Sequence, residues 1–302
     1  MPVSNRHILE QGPALSALGR VALTTLEQQL LGKKPSKKAP QVPGKKIEVT
    51  LPPRSSQLIR DFVENVGGDP AAYRNTLPPS FFPQWGFASA SRAMEGVPYQ
   101  MSKVLNAGSN FTVNAPIPAN ESLNVSAQLV NIDDDGRRVV MTTRVITSTK
   151  SVKEALVAEM ITLVPLKRDK SEKSNGGGAK KEQPSVPVDA EELMQFEVGP
   201  WAGLDFAKLT GDFNPIHWIP PAAKASGFKN VILHGFGTMA RTIEGLNKTV
   251  LGGDPLKLKK WSCRFTKPLV LPAKASLFVR GHEVYVGVAA GGPAYLVGEY
   301  GT

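Results

Sequence analysis

The segment Thr210-Gly211-Asp212-Phe213-Asn214-Pro215-Ile216-His217 gathers a carboxylate, a carboxamide and an imidazole on one short stretch of chain. A carboxylate and an imidazole together can hold a water and move a proton near neutral pH. On an ideal helix, residues five apart point in different directions, so Asp212 and His217 cooperate only if the segment bends. Its own residues favour a bend. Gly211 can adopt backbone conformations closed to bulkier residues, and Pro215 fixes its own φ while restraining Asn214. The same letters also spell an ordinary turn with Asx hydrogen bonds, and a lone histidine is usually not catalytic. On local chemistry the two readings stand level.

Further on comes Val231-Ile232-Leu233-His234-Gly235-Phe236-Gly237. Gly235 falls where a helix should start, and a helix N-terminus presents free N–H groups and a partial positive charge. Such a donor suits a thioester oxygen that gains charge as a proton leaves or joins the neighbouring carbon. One oxyanion donor of this kind is typically worth about 10²- to 10³-fold in rate. A glycine kept only for close packing would read the same way.

These residues need a frame, and the chain supplies two similar ones. Asn110-Phe111-Thr112 through Pro118-Ala119 to Ser122-Leu123-Asn124-Val125 aligns without gaps on Arg264-Phe265-Thr266 through Pro272-Ala273 to Ser276-Leu277-Phe278-Val279. Upstream, Gly86-Phe87-Ala88-Ser89-Ala90-Ser91-Arg92 resembles Gly235-Phe236-Gly237-Thr238-Met239-Ala240-Arg241. Two matched blocks in the same order point to an internal duplication. In each half the pattern predicts a short helix (Leu58 to Val66; Leu204 to Leu209), then a longer one (near Phe87 to Met94; Phe236 to Asn247). Alternating strands follow, and Asp133-Asp134-Asp135-Gly136 is a hairpin turn. The expected unit is a helix lying across a curved antiparallel sheet, with the two units paired.

Composition narrows the classes. Apolar residues make up 41% of the 302, enough for real cores. No apolar run approaches the roughly 20 residues of a membrane span. Ile8 to Leu31 is interrupted by Glu10, Gln11, Arg20 and Glu27 and reads as a weak amphipathic helix packed on the body, not a signal peptide. The single cysteine, Cys263, excludes internal disulfides and reads as a small buried hydrophobe; this fits a cytoplasmic location. Of the net charge of +10, residues 1–46 carry eight Lys/Arg against two Glu, and residues 166–183 six against three Asp/Glu. Excess charge in two such stretches argues against a folded nucleic-acid surface. It leaves solvated tails, or weak attraction to anionic membranes and phosphate-bearing substrates. The division expected is 1–47, an N-terminal helix and basic arm; 48–166 and 188–302, the two bodies; and 167–187, a flexible linker containing Ser174-Asn175-Gly176-Gly177-Gly178. Lys259-Lys260 before Trp261 reads either as a phosphate or nucleic-acid contact or as a charged edge strand. His7 and His282 receive no role.

The run Leu204 to His217, followed by Ala222-Ala223-Lys224-Ala225 and Gly227-Phe228, resembles the hydratase-2 motif of MaoC-like proteins. Leu233-His234-Gly235, Phe265-Thr266-Lys267-Pro268 and Leu271-Pro272-Ala273 extend the likeness. The whole chain resembles their longer, two-body members, (R)-specific enoyl-CoA hydratases and (3R)-hydroxyacyl-thioester dehydratases. The resemblance implies an α+β double hotdog and reversible hydration of trans-2-enoyl thioesters of CoA or acyl carrier protein. It implies that Asp212 and His217 manage the water and the α-proton, that Asn214 orients them, and that the Gly235 N–H holds the thioester oxygen. Gly211, Pro215, His234, Phe236 and Lys229 would contact substrate; Lys224, Lys229 and Arg241 either meet CoA phosphates or simply solvate the surface. No metal or redox cofactor is implied, and CoA or phosphopantetheine arrives as part of the substrate. The first body departs from the motif. Val66-Gly67-Gly68-Asp69-Pro70-Ala71-Ala72-Tyr73 has no histidine, so that half is expected to be non-catalytic, with Leu77 to Trp85 lining an acyl tunnel or packing the core. A monomer or homodimer is expected. A thioesterase and a non-catalytic acyl-binding protein are the competing functions.

Overall fold

The computed structural model describes residues 2–17, 19–20, 40–101, 104–166 and 183–302. Most of the expected linker, and the Lys- and Pro-rich part of the expected arm, lie outside the described residues. Ten strands among them form a single sheet. The first half supplies β1 (Ile47–Leu51), β2 (Leu105–Val113), β3 (Leu123–Asp134), β4 (Arg138–Ser148) and β5 (Leu156–Pro165). The second supplies β6 (Glu191–Val198), β7 (Lys260–Phe265), β8 (Ala273–Arg280), β9 (Glu283–Gly287) and β10 (Ala294–Gly301). The order β1-β3-β4-β5-β2-β7-β10-β9-β8-β6 reads alike from either edge inward. The halves join where β2 and β7 pair antiparallel, Ser109 opposite Cys263 and Phe111 opposite Trp261.

Local rules account for the elements. Leu123, Val125, Ala127 and Leu129 share the buried face of β3, and Val139, Met141, Thr143 and Val145 that of β4. Between the two strands Asp135 accepts backbone bonds from Arg137 and Arg138, closing the hairpin. Helix α1 (Ser56–Asn65) is capped by Ser55, whose hydroxyl accepts from Leu58 N; Leu58 and Phe62 bury one stripe. Helix α2 (Pro83–Ala93) starts four residues earlier than the pattern predicts, because Pro83 occupies the first turn, where no N–H is needed. The second half repeats the pair as α3 (Ala202–Thr210) and α5 (Gly235–Thr249), with a short α4 (Pro220–Ala225) between. Sheet and other helices surround α5 so fully that Phe236 through Leu246 are buried except Arg241.

The two long helices meet at their N-termini, where Phe82 packs edge-on against Phe236 with centroids 5.7 Å apart. Phe62 stacks on Phe81 at 4.1 Å, and Phe111 on Trp261 at 6.4 Å. Burying each such ring stabilises the fold by roughly 1.5–3 kcal/mol. A second tie between the halves is polar. The Tyr73 hydroxyl donates to Glu244 on α5, and Asn247 Nδ2 donates to Glu244 Oε2 at 3.1 Å. Burial pushes the Glu244 carboxyl up to about 7.

Residues 5–17 are helical and pack on the body as a strap, in line with the amphipathic helix expected from Ile8 onward. His7 is fully buried, its Nε2 2.6 Å from Asp61 Oδ2. Lys260 stands on a central strand, not an edge; its charge sits exposed on the outer face of β7. His282 lies exposed in the turn between β8 and β9, with its ring edge-on to Tyr300. Among the described residues no helix is long and apolar enough to cross a membrane.

Candidate active site

Helix α3 ends on Gly211, whose φ of +83° turns the chain away from the helix axis. There is no room for a side chain at that point: a Cβ on Gly211 would lie 2.5 Å from the Ala14 Cβ of the strap. The loop that follows is held by its own short polar groups. Asp212 Oδ1 accepts from Asn214 N, and Asn214 Oδ1 accepts from Ile216 N, capping the 3-10 turn Pro215–His217. Trp218 Nε1 donates to Phe213 O at 3.1 Å. This is the bend that the five-residue spacing demands.

The loop lies beside the segment leading into α5, which bonds to Val270's neighbours Leu269 and Leu271 through Leu233 and Val231. His217 Nδ1 donates to Ile232 O at 2.8 Å, which fixes the ring and leaves Nε2 with a free lone pair. His234, 2% exposed, donates from Nε2 to the backbone carbonyl of Asp212 at 2.9 Å. The two imidazoles stack with centroids 3.6 Å apart, and Phe206 lies 5.0 Å from the other side of His234. Burial holds His217 below its ordinary value, opposed by the Asp212 charge and the Ile232 carbonyl. Burial, then the neighbouring His217, brings His234 down to about 3. Both rings are therefore neutral at pH 7.

Asp212, His217 and His234 offer donor atoms all within 4.8 Å of one another. A metal needs lone pairs that converge on one point. The two stacked rings, with planes 25° apart, stand beside the carboxylate, a spacing within which a proton or an ion could be shared. At its side α5 begins with Gly235, and the first helical bond is made only by Thr238 N, to His234 O. The N–H groups ahead of it belong to the free first turn. A Cβ on Gly235 would sit 2.6 Å from the Phe265 ring, so a larger residue would displace the helix start.

The structure brings Asp212, His217 and His234 together and sets Gly235 at the adjoining helix head. Asn214 spends its side-chain oxygen on the loop backbone, a cap more than an orienting group. Gly211 is a buried hinge against the strap, and Pro215 is exposed at the start of the 3-10 turn. Phe236 is 7% exposed and packed between Phe82 and Phe265, in the core. Lys224 and Lys229 are exposed on α4 and the loop after it. Of Leu77 to Trp85, Phe81, Phe82 and Trp85 are core residues. Sequence reasoning missed the stacking of His234 on His217 and the strap's contact with Gly211; no spacing rule encodes either. In the first half, Asp69 caps its own 3-10 turn and Tyr73 is bonded to Glu244, so the stretch 66–73 forms no Asp–His pair of its own.

Residues 180–283 match the family model described as "MaoC like domain". The chain is 29% identical over 175 residues to the enoyl-CoA hydratase ChsH3 of Mycobacterium tuberculosis, covering 56% of this chain and 58% of that one. It is 25% identical over 209 residues to 3-hydroxyacyl-thioester dehydratase X of the same organism, covering 68% and 71%. The crystal structure of HtdX from Mycobacterium tuberculosis superposes with a TM-score of 0.68 at 21% identity, over 85% of this chain and 100% of that one. Another Mycobacterium tuberculosis protein, described as having a double hotdog fold, superposes at 0.57 and 10% identity, over 86% and 96%. The match thus spans less than two thirds of the length of ChsH3. The fold is a double hotdog, and residues 180–283, the stretch that matches the MaoC-like model, carry the Asp–His–His cluster.

Proposed function

We propose that the protein reversibly hydrates trans-2-enoyl thioesters to (R)-3-hydroxyacyl thioesters, the acyl group being carried by CoA or an acyl carrier protein. The observation that carries this reading is the fixed tautomer of His217, whose neutral ring lies in one cluster with the Asp212 carboxylate, donor atoms within 4.8 Å, beside the head of α5. In the hydration direction Asp212 and His217 hold a water. One removes its proton as the oxygen attacks C3, and a proton is returned to C2. The carbonyl oxygen, which gains negative charge, rests on the Gly235 N–H and the positive end of α5. Reversal of the same proton movements gives dehydration. The reaction calls on these side chains and the substrate's own thioester, without a resident cofactor.

Relatives named as enoyl-CoA hydratases and a 3-hydroxyacyl-thioester dehydratase support the reaction class. The first half completes the paired sheet, and its stretch 66–73 has no histidine, so one active site serves each chain. Purified protein with trans-2-enoyl-CoA should lose the conjugated double bond without releasing free thiol. Thiol release would instead mark a thioesterase, and no turnover with CoA or carrier-protein substrates would mark a binding protein.

A further inference from the structure

His7 takes no part in the chemistry above, yet its ring is shut away from solvent with a carboxylate at each nitrogen. Nδ1 lies 3.1 Å from Glu10 Oε1 on the strap itself, and Nε2 lies 2.6 Å from Asp61 Oδ2 on α1. Gln57 Nε2 donates to the other oxygen of Asp61 at 2.6 Å, which holds that carboxylate in place. Carboxylate oxygens only accept, so each contact asks the ring for an N–H. Taking such groups out of water is costly, and a well-packed apolar residue often serves stability as well. The strap uses that simpler solution further along, at the buried Ala14 and Ala17.

The buried face of the strap is a single stripe, His7, Gln11, Ala14 and Ala17, at the spacings of a helix. Each of the first three meets a different part of the body. His7 meets α1. Gln11 Nε2 donates to Lys208 O and Leu209 O in the last turn of α3, where a helix leaves its carbonyls unpaired. Its Oε1 accepts from Gln84 Nε2 on α2. Ala14 closes on Gly211: a Cβ on that glycine would lie 2.5 Å from Ala14 Cβ and 3.3 Å from Gln11 Cβ. Ahead of the stripe, Val3 N donates to Asp205 Oδ1, and Lys208 Nζ donates to Val3 O. The strap therefore caps and backs the end of the helix whose next residues are the Gly211 hinge and Asp212.

We propose that the strap is a latch on the catalytic loop and that His7, clamped between Glu10 and Asp61, is the positioning residue that keeps it closed. The inference rests on the hydratase reading for the reaction it tunes. The loop's Asx bonds fix its shape, while its angle to α3 rests on the backing of Gly211 and on the His234 bond to Asp212 O. With the clamp made, Gln11 and Ala14 press on α3 and Gly211, and Asp212 is held beside His217 and His234. With the clamp broken, the strap lifts, the hinge swings more widely, and Asp212 meets the water less often in the right geometry. The head of α5 is untouched, so substrate binding is spared.

The test compares the full chain as wild type, His7→Phe, Asp61→Asn, Glu10→Gln and the double variant of the first two. In enoyl-CoA hydration His7→Phe and Asp61→Asn should each lower kcat about tenfold with KM changed less than about twofold, as for a displaced catalytic group. The double variant should lose no more than either alone, since both break one clamp. Hydrogen exchange read by mass spectrometry should quicken over residues 203–217 and stay unchanged over α5. Glu10 is partly exposed, so Glu10→Gln gives the same pattern in smaller size even if His7→Phe does not fold. Unchanged exchange over 203–217 in a folded variant, exchange that rises equally across the chain, a KM rise with kcat intact, or additive losses in the double variant would each overturn the latch. Exchange is read without turnover, so failure of the hydratase reading shows separately, as a chain that hydrates nothing yet loosens at 203–217 when the clamp is cut.

Discussion

The imidazole of His217 lies stacked on that of His234, 3.6 Å between centroids, while His234 reaches past it to the Asp212 carbonyl. One ring does the proton chemistry in this account; the other fixes both partners. His234 is neutral, buried and placed between Phe206 and His217, so it acts through its neighbours.

That division of labour separates two substitutions. His234→Phe keeps a flat ring on His217 but loses the bond to Asp212 O, whereas His234→Gln keeps a donor and loses the stack. Each should lower kcat by roughly 10- to 100-fold with KM nearly constant, the cost expected when a positioned catalytic group is loosened. Steady-state kinetics on both variants read this. A rise in KM with kcat intact would make His234 a substrate contact instead.

At the helix head, Gly235→Ala places a methyl group 2.6 Å from the Phe265 ring. Relieving that overlap should cost about 1–3 kcal/mol of stability. Shifting the N–H should cost about 10²- to 10³-fold in kcat. Thermal melts and kinetics together check both parts. An unchanged melting temperature would show that Phe265 gives way freely.

The strap offers a stability test away from the chemistry. Gln11 is 1% exposed and its amide nitrogen satisfies two carbonyls at the end of α3. Gln11→Leu leaves those carbonyls and Gln84 without their buried partner, at about 1–3 kcal/mol. Because Gly211 lies against the same strap, kcat should fall as well. Denaturant unfolding measures the first effect and turnover the second.

Two buried groups set opposing pH dependences. His234 drops from 6.5 to about 3 on folding, so the unfolded chain binds the extra proton and stability falls as pH drops below about 6.5. Glu244 rises from 4.5 to about 7, so its contribution is whole below 4.5 and is lost as pH climbs through 7. Where the windows overlap, between 4.5 and 6.5, the slopes offset. Glu244→Gln should therefore steepen the acid-side loss and flatten the curve between 6.5 and 7. Unfolding free energies across pH 4 to 8 would show this; parallel curves for both proteins would contradict it.

Much of this molecule was written in its local patterns. The alternation in β3 and β4, the Asp135 turn and the duplicated blocks gave strands, hairpin and two paired halves. The Gly211 hinge and the Pro215 turn gave a bent loop with Asp212 and His217 together. What stayed hidden was contact between parts far apart in sequence. The burial of His7 depends on Asp61, the place of Gln11 on Leu209, and the central position of Lys260 on a pairing made by β2. None of those partners shares a periodicity with the residue it meets. Phe236 misled for a related reason: beside a glycine at a helix head, an aromatic ring reads as pocket lining, and only the packing of Phe82 and Phe265 shows it to be core.

The most direct test of the account is hydration of a trans-2-enoyl-CoA in heavy water by the wild type, Asp212→Asn and His217→Gln, with the product followed by NMR. The wild type should give the (3R)-hydroxyacyl thioester with one deuterium at C2. Both variants should remain folded and lose about 10²- to 10⁴-fold in rate. Product of the opposite configuration, or near-normal turnover in either folded variant, would contradict the assignment of Asp212 and His217.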